Sequence, residues 1–418
     1  MKLTIDAASA RVRLDPRDPE FFADPYPAYH AIRSAAPVFF WADYGFWCFA
    51  RHADVSALLR DRRFGRQISD GMEREALGWP APKRHLEPFD ALERHSLLEV
   101  EPPEHTRLRT LVNRAFVSRQ VEKLAPHIAR LAHERIDAFA ERGEADLLAD
   151  FATPIPVAVV ADLLGVPRDM GPSLLDWSHR MVAMYQFGVT REVEDSAAAA
   201  SREFADFMRT YARARRADLR DDLISQLLVA ESDGGRLSED KLVTTCILLL
   251  NAGHEATVHG LGNGVKTLLE QGVDPHAALA SDVSAGATVE ELLRFDSPLH
   301  LFTRYALMDV EVAGVRFRKG DKIGLLLGAA NRDPERFPDP DAFDPSRAPN
   351  PHVAFGAGIH FCVGAPLARL EMAVALPILF ERLPGLRLNE PPRYRDSFHF
   401  HGLERLNVAW ERGQAKAG

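Results

Sequence analysis

The sequence FGAGIHFCVG, residues 355–364, is the clearest indication of the fold of this chain. Its one cysteine, Cys362, lies between glycines, with an aromatic residue seven positions earlier and a histidine two positions earlier. The glycines permit a tight turn and let the backbone approach a flat ligand closely. Residues 367–380 then predict a helix that only Pro377 interrupts. Cys362 therefore lies near a helix N-terminus, where amide dipoles favour the thiolate form.

A thiolate in this position is a suitable axial ligand for haem iron, because it donates electron density that favours O–O cleavage. An isolated cysteine in a glycine-rich turn is more often an inert buried residue. The complete ten-residue pattern, however, resembles the haem-binding signature of the cytochrome P450 family. The resemblance implies that the cofactor is haem b (iron protoporphyrin IX) and that Cys362 is its axial ligand. It also places Phe355, Gly356, His360 and Gly364 against the cofactor.

Length and composition predict one large globular domain. The chain has 418 residues, 46% of them hydrophobic, and no linker, repeat or low-complexity tract divides it. We therefore expect a single domain over residues 1–418, in which residues 1–20 form an N-terminal extension. The net charge of −9 argues against nucleic acid as a partner.

The cysteine and apolar patterns indicate the compartment. Cys48, Cys246 and Cys362 are widely spaced and form no CxxC pair, as expected in a reducing cytosol. No apolar run approaches the ~18 residues that a membrane-spanning helix needs. The N-terminus lacks the apolar core of a signal peptide. We expect a cytoplasmic monomer without a membrane anchor.

The resemblance implies a mainly α-helical fold with small β-sheets, in which haem lies between a long central helix and the Cys362 loop and helix. Alternating apolar residues within 301–327 predict one of the small sheets. Residues 61–102 are rich in glycine and proline and read as an irregular loop. By resemblance this loop roofs the substrate pocket, and a helix pair within 169–211 forms its lid.

The long central helix is predicted over residues 238–271, with Ser238 as its cap. It is apolar nearly all round, yet it contains Gly253 and Glu255. Glycine costs ~1 kcal/mol inside a helix, and an unpaired buried charge costs more. The resemblance implies that this is the oxygen-activating segment. There Ala252 and Gly253 widen the helix locally to make room for O2, and Glu255 relays protons.

One position departs from the family pattern. Where the family usually has a threonine whose hydroxyl assists oxygen activation, this chain has Ala256. Thr257 follows one residue later and is rotated by about 100° around the helix, so it is not a simple substitute. Three interpretations remain open. A substrate hydroxyl or an ordered water replaces the alcohol, the enzyme couples poorly, or its chemistry does not need efficient protonation of oxygen.

The same helix also contains a pattern that is typical of a different class of site. His254-Glu255 followed by His259 resembles the helix of a zinc protease. That motif needs histidines four apart, so that both face one metal ion. Here they are five apart, about 140° around the helix, which argues against a protease.

Basic residues elsewhere match the places where the family holds the haem propionates. His105 and Arg109 are four apart on a predicted helix and share a face, although such residues are often only solvated. The resemblance assigns them to one propionate, and Arg304 with His360 to the other. The planar fork of an arginine suits a carboxylate because it can bind both oxygens.

A structural triad is the last family feature. Glu291 and Arg294 are three apart on one helix, a spacing that usually gives only a weak surface pair. By resemblance they form a buried ion network with Arg347 that fixes the haem-binding loop. Arg369 and Glu371, on the helix after Cys362, are expected to be solvated; Arg369 could instead join Arg114 and Arg119 in a docking face for an acidic redox protein.

The resemblance implies a haem-thiolate monooxygenase that hydroxylates a small organic substrate with O2 and NAD(P)H. No Rossmann fingerprint or flavin or ferredoxin module is present in the sequence, so electrons would come from a separate ferredoxin and its reductase. Two alternatives remain. One is a peroxygenase that uses H2O2 directly, which Ala256 favours and Glu255 disfavours. The other is a haem-binding sensor or carrier without catalysis.

Overall fold

The structure is a computed structural model, and it describes residues 1–68, 74–232 and 237–412. Helices dominate it, and the predicted helical class with small sheets is confirmed. The α-helices of the described residues are α1 (Pro19–Ala23), α2 (Tyr26–Ala35), α3 (His52–Leu58), α4 (Glu87–Glu93), α5 (Glu104–Phe116), α6 (Ser118–Glu122), α7 (Ala125–Asp137), α8 (Pro154–Leu164), α9 (Gly171–Val182), α10 (Arg191–Arg215), α11 (Leu223–Ser232), α12 (Glu239–Glu270), α13 (Pro275–Ala278), α14 (Asp282–Phe295), α15 (Leu327–Asn331) and α16 (Ala365–Arg382).

Within the described residues the strands are short and form one larger sheet and three small ones. They are β1 (Thr4–Asp6), β2 (Arg11–Arg13), β3 (Val38–Trp41), β4 (Phe46–Phe49), β5 (Phe64–Gly65), β6 (Glu144–Asp146), β7 (Leu301–Ala306), β8 (Val310–Val312), β9 (Val315–Phe317), β10 (Lys322–Leu326), β11 (Arg387–Leu388), β12 (Arg393–Tyr394), β13 (Leu403–Arg405) and β14 (Asn407–Ala409). The larger sheet has the order β1-β2-β3-β4-β10-β7-β5. The strands predicted within 301–327 are confirmed as β7 to β10.

Helix α12 runs through the largest apolar core. Most of its side chains are buried, and it packs against α8, α10, α14 and α16. Its predicted cap is confirmed, because the Ser238 hydroxyl accepts a hydrogen bond from the Lys241 amide at 3.4 Å. The helix is α-helical from Glu239 to Glu270, so the local widening implied at Ala252 and Gly253 is not observed.

Gly253 has a packing role in this helix. A β-carbon built on it would lie 2.6 Å from Val160 Cγ2 of α8, so only glycine lets the two helices approach this closely. The space at this position is therefore filled by a neighbouring helix. This is a physical reason for the glycine that differs from the room for O2 implied by the resemblance.

Three segments differ from their sequence-based descriptions. Residues 1–20 are more than an extension, because β2 pairs in parallel with β3 of the larger sheet. The region 61–102 contains β5 and helix α4, and not only loop, while its residues 69–73 lie outside the described residues. Helix α16 passes through Pro377 without a break. The helix pair expected within 169–211 corresponds to α9 and the first part of α10.

Among the described residues, no helix combines the length and the apolar character needed to cross a membrane.

Candidate active site

The loop that carries Cys362 is fixed by its own backbone and by its glycines. The Cys362 amide donates to the Phe355 carbonyl at 3.0 Å, which closes the loop in front of α16. Gly358 has φ 74°, and a β-carbon on it would lie 2.4 Å from the Leu59 carbonyl oxygen. This position therefore excludes any side chain, and the loop can lie directly against the end of α3.

Cys362 is exposed, and it precedes the first turn of α16 by three residues. Desolvation by the surrounding protein raises the pKa of its thiol. The amides of Gly364 and Ala365 and the charge of Arg109 act in the opposite direction but do not compensate. The amides at the start of α16 thus favour the thiolate, as expected, but desolvation outweighs them. A coordinated metal ion would deprotonate the thiol directly.

His105, Arg109, Arg304 and His360 lie near the Cys362 loop. The rings of His105 and His360 have centroids 4.5 Å apart, and Arg109 Nη1 donates to the Phe361 carbonyl at 2.6 Å. Burial, followed by the charges of His360 and Arg109, lowers the pKa of His105 to about 4. Burial and the neighbouring Arg66 lower the pKa of Arg304 to about 10. An anion at this place would relieve both effects.

Glu101 is a member of this site that sequence reasoning missed. Its Oε1 accepts hydrogen bonds from His360 Nε2 at 3.1 Å and from the Arg66 amide at 2.6 Å. The residue lies just before α5 in a segment without periodicity, so no sequence signal identified it. Its position demonstrates that His360 binds a carboxylate.

The donor set therefore fits the carboxylates of haem b. His105 Nε2 is buried and has no hydrogen-bond partner among the described residues. The buried guanidinium of Arg304 contacts its neighbour's carbonyl, Thr303 O, at 2.8 Å. Buried donors of this kind are costly unless an acceptor satisfies them. A propionate could accept from each of them.

The segment of α12 that the resemblance assigns to oxygen activation has an open and a closed face. Ala252 is exposed and Ala256, four residues later, is half-buried, so these small residues share the open face. Glu255 and Thr257 are buried on other faces of the helix. The structure thus places Thr257 away from the face on which a residue at position 256 would act, as the spacing predicted.

Glu255 lies among four basic side chains from three parts of the chain. Its Oε1 accepts a hydrogen bond from His259 Nε2 at 3.2 Å and lies 3.5 Å from Arg395 Nη1. Its Oε2 lies 3.6 Å from His179 Nε2 and 3.7 Å from His254 Nε2. Burial raises the pKa of Glu255, but the hydrogen bond and charges of these histidines outweigh it and lower the pKa to about 2. Sequence reasoning missed His179 and Arg395, which are distant in the chain.

The three members of the predicted structural triad come together. Arg294 donates from Nε and Nη2 to the two oxygens of Glu291, each at 2.7 Å, and both residues are fully buried. Arg347 Nε donates to Glu291 Oε1 at 3.2 Å. The Asp344 amide and the Asn350 side chain, each at 3.0 Å, complete the hydrogen bonding of the carboxylate.

The expectation that Glu371 is solvated is wrong, and Arg369 is half-buried and ion-paired. Arg369 donates to both oxygens of Glu290 and lies over the ring of Phe355, with 4.5 Å between guanidinium carbon and ring centroid. Glu371 is fully buried, and neither of its carboxyl oxygens has a hydrogen-bond partner among the described residues. Burial raises the pKa of Glu371 well above its ordinary value and so favours its neutral form.

Comparison with known proteins identifies the family. The profile described as "Cytochrome P450" matches residues 285–390. The chain is 34% identical over 409 residues to the polyketide biosynthesis cytochrome P450 PksS of Bacillus subtilis (strain 168), covering 96% of this chain and 99% of that protein. It is 40% identical over 373 residues to cytochrome P450 107B1 of Saccharopolyspora erythraea, covering 87% of this chain and 88% of that protein.

The fold agrees with this similarity. The crystal structure of P450BioI in complex with an acyl carrier protein ligated to hexadec-9Z-enoic acid superposes with a TM-score of 0.87 at 33% identity, covering 94% of this chain and all of that one (100%). Sequence identity above 30% extends over nearly the whole chain in each of these comparisons. The cysteine loop, the buried donors and the relatives lead to one conclusion: this chain belongs to the cytochrome P450 family of haem enzymes.

Proposed function

We propose that this chain is a monooxygenase that hydroxylates a small organic substrate, with Cys362 as the axial ligand of haem b. One oxygen atom of O2 enters a C–H bond, the other leaves as water, and NAD(P)H supplies two electrons. The observation that carries the proposal is the Cys362 loop, which presents an exposed cysteine beside the buried, unpartnered Nε2 of His105 and the buried guanidinium of Arg304. Family membership makes the chain an oxidoreductase that uses haem.

Each residue of the site would have a distinct role. Haem, when bound, supplies O2 binding and redox chemistry. His105 and Arg109 would hold one propionate, and Arg304 and His360 the other. Phe355, Gly356 and Gly364 shape the loop against the cofactor. Glu255, buried on another face of α12, would hold protons and pass them toward the open face, where Ala252 and Ala256 leave space.

Electrons would come from a separate ferredoxin and its reductase. Arg114 and Arg119 are exposed and no acidic partner lies within ion-pair distance of either among the described residues, so both can face an acidic redox protein. Arg369 is removed from this predicted docking face, because Glu290 already binds it. The predicted monomeric state and cytoplasmic location remain predictions.

The names of the relatives support a choice of substrates to test. One is described as an enzyme of polyketide biosynthesis, and one structure holds a fatty acyl carrier protein. We infer that polyketides and fatty acids belong in a first panel, beside terpenoids and aromatics. Each oxygenated compound should be paired with its deoxy analogue, because a substrate hydroxyl is one candidate to replace the missing alcohol at Ala256.

A test begins with the ferric Soret band of purified holoprotein and its shift on addition of each compound. Cys362→Ser should remove the spectral signature of thiolate ligation, whereas the same change at buried Cys246 should leave it intact. With a ferredoxin, a reductase and isotopically labelled O2, one labelled oxygen atom is expected in the product. A product that forms only with H2O2 would instead establish the peroxygenase. Haem binding without NAD(P)H consumption in any partner system would favour the sensor or carrier.

A further inference from the structure

The surroundings of Glu255 contain a second arrangement that proton relay does not require. His179 of α9 and His254 of α12 both direct Nε2 toward the same carboxylate oxygen, Oε2 of Glu255. The two distances are 3.6 and 3.7 Å, and the three ligand atoms all lie within 4.8 Å of one another. Two imidazoles and a carboxylate are a common ligand set for zinc.

His254 is prepared as a ligand rather than as a hydrogen-bond donor. Its Nδ1 lies 2.7 Å from the Leu250 carbonyl, which can only accept, so Nδ1 carries the proton in the neutral ring. Nε2 therefore has a free lone pair. It is buried without a hydrogen-bond partner among the described residues, in a side chain that is 4% exposed. A backbone carbonyl on the far ring nitrogen is the typical support of a metal-binding histidine.

The two oxygens of the Glu255 carboxylate have different neighbours, and one of them is available to an ion. Oε1 accepts the hydrogen bond of His259 and lies near Arg395, which fixes the orientation of the group. Oε2 is left facing the two imidazoles. Arg395 is a fixed positive charge that opposes a cation here, but it lies on the Oε1 side, 3.5 Å from that atom.

We propose that His179, His254 and Glu255 form a binding site for a divalent transition-metal ion such as Zn²⁺, with a ligand set that does not include Cys362. Ligand atoms at about 2.0–2.1 Å from a tetrahedral ion lie roughly 3.3 Å apart, so small side-chain movements close the observed geometry. Water would complete the coordination. The His179 side chain is 47% exposed, which gives the ion a path from solvent.

The spacing of His254 and His259 argues against a zinc-protease motif on α12, but a different pair of histidines meets Glu255 in the folded chain. His254 and His259 cannot share an ion as in a zinc protease, and His259 is bound to the other oxygen of Glu255. The second imidazole comes from α9, in the helix pair that the family resemblance assigns to the lid. An ion at this site would join α9 to α12 and occupy Oε2 of Glu255.

Another histidine cluster serves as the internal comparison. Asp296, His300 and His401 are all buried with ligand atoms within 4.8 Å. There, however, both oxygens of Asp296 are already engaged, Oδ1 by Tyr26 at 2.9 Å and Oδ2 by Tyr394 at 2.6 Å. An ion would have to displace these hydrogen bonds, so we expect it to bind at the α9–α12 site instead.

Equilibrium dialysis of metal-free holoenzyme against buffered Zn²⁺ tests the site without reference to turnover. Wild type is expected to bind one zinc ion, and His179→Gln and His254→Gln are each expected to weaken that binding at least about tenfold. His179→Gln keeps the test valid if the buried His254→Gln protein fails to fold. Exposed His276→Gln and buried His401→Gln serve as controls that retain wild-type affinity. Equal affinity in wild type and His179→Gln, or loss of zinc only in His401→Gln, would overturn the proposal.

A second readout separates this inference from the proposed role of Glu255, on which its functional consequence rests. If Glu255 relays protons, bound Zn²⁺ should slow product formation in wild type, and His179→Gln should resist this inhibition. Zinc that binds with the expected dependence on His179 but leaves product formation unchanged would support the metal site and overturn the relay.

Discussion

Two buried carboxylates of this protein have basic neighbours of opposite kinds. Glu291 is held by Arg294 and Arg347, which stay charged at any ordinary pH, at 2.7 and 3.2 Å. Glu255 is surrounded mainly by histidines at 3.2 to 3.7 Å, and burial lowers the pKa of His254 and of His259, which favours their neutral forms. One cluster is saturated with hydrogen bonds, and the other leaves the Nε2 atom of His254 unpaired within the described part of the chain.

The difference indicates what each cluster is for. A saturated network of permanent charges has one stable arrangement, which suits the anchoring of the segment 331–350 that leads into the Cys362 loop. Looser contacts to groups that gain and lose protons allow several arrangements of similar energy. Such a cluster can pass a proton or bind an ion, which a fixed ion network cannot.

The largest expected effect comes from breaking the saturated cluster. Glu291→Ala leaves two buried arginines without their carboxylate, a change that typically costs about 3–5 kcal/mol. We expect the variant to contain little or no haem, measured as the ratio of Soret to protein absorbance. The matched control is Glu290→Ala, because Glu290 is the adjacent, half-buried acid with partners of its own. Normal haem content in Glu291→Ala would contradict the assignment of the triad.

The second prediction concerns the pH dependence of stability at Glu255. Its pKa in the folded chain is about 2, below the ordinary 4.5, so folding favours the ionised form. This stabilisation is complete above pH 4.5 and is lost as the pH falls toward about 2; it amounts to at most about 3 kcal/mol. The difference in unfolding free energy between wild type and Glu255→Gln should therefore shrink from about pH 5 downward.

Urea unfolding at a series of pH values measures this difference, with Asp195→Asn on the surface of α10 as a control that should show much less. A difference that stays constant down to about pH 3 would mean that the histidines do not stabilise the ionised form of Glu255.

The third prediction separates catalysis from stability in the cluster around Glu255. Glu255→Gln keeps the shape of the side chain but cannot release a proton, so product formation should fall about 100-fold while haem content stays normal. Single-turnover kinetics with a substrate from the Soret panel measures the rate. An unchanged rate with unchanged coupling would remove Glu255 from the relay, and the contrast with Glu291 would then be one of hydrogen bonding alone.

Sequence reasoning found the residues that local motifs mark and missed those that only packing brings in. Glu291, Arg294 and Arg347 could be predicted because each lies in a recognisable short pattern. His179 and Arg395 could not, since α9 and the C-terminal segment meet Glu255 only in the folded chain. Glu101 lies before α5 without any periodic signal. These missed residues add to the charge environment that nearby members of the motifs, such as His259 and His254, already create.

The wrong expectations have a common physical cause. Charged side chains are usually exposed, so the sequence predicts solvent contact for the polar residues of α16, yet this helix packs against α7 and α14 and its Glu371 is fully buried. The sequence predicts only an extension for residues 1–20, because pairing of β2 with β3 depends on contacts between distant positions. Burial and pairing are decided by tertiary contacts that a single sequence does not contain.

The smallest expected effect comes from adding a hydroxyl group to α12 next to the cluster around Glu255. Ala256→Thr places an alcohol on the open face of α12, one residue from Glu255. Thr257 lies on another face of the helix and cannot supply an alcohol there. We expect the ratio of product to peroxide to rise several-fold on substrates without a hydroxyl, and to change little on their hydroxylated analogues. Ala256→Val is the matched control, because valine has the shape of threonine and lacks only the alcohol. If both variants change the ratio equally, steric filling is the cause. If neither does, the protein obtains its protons without any alcohol at this position, and the cluster around Glu255 is sufficient by itself.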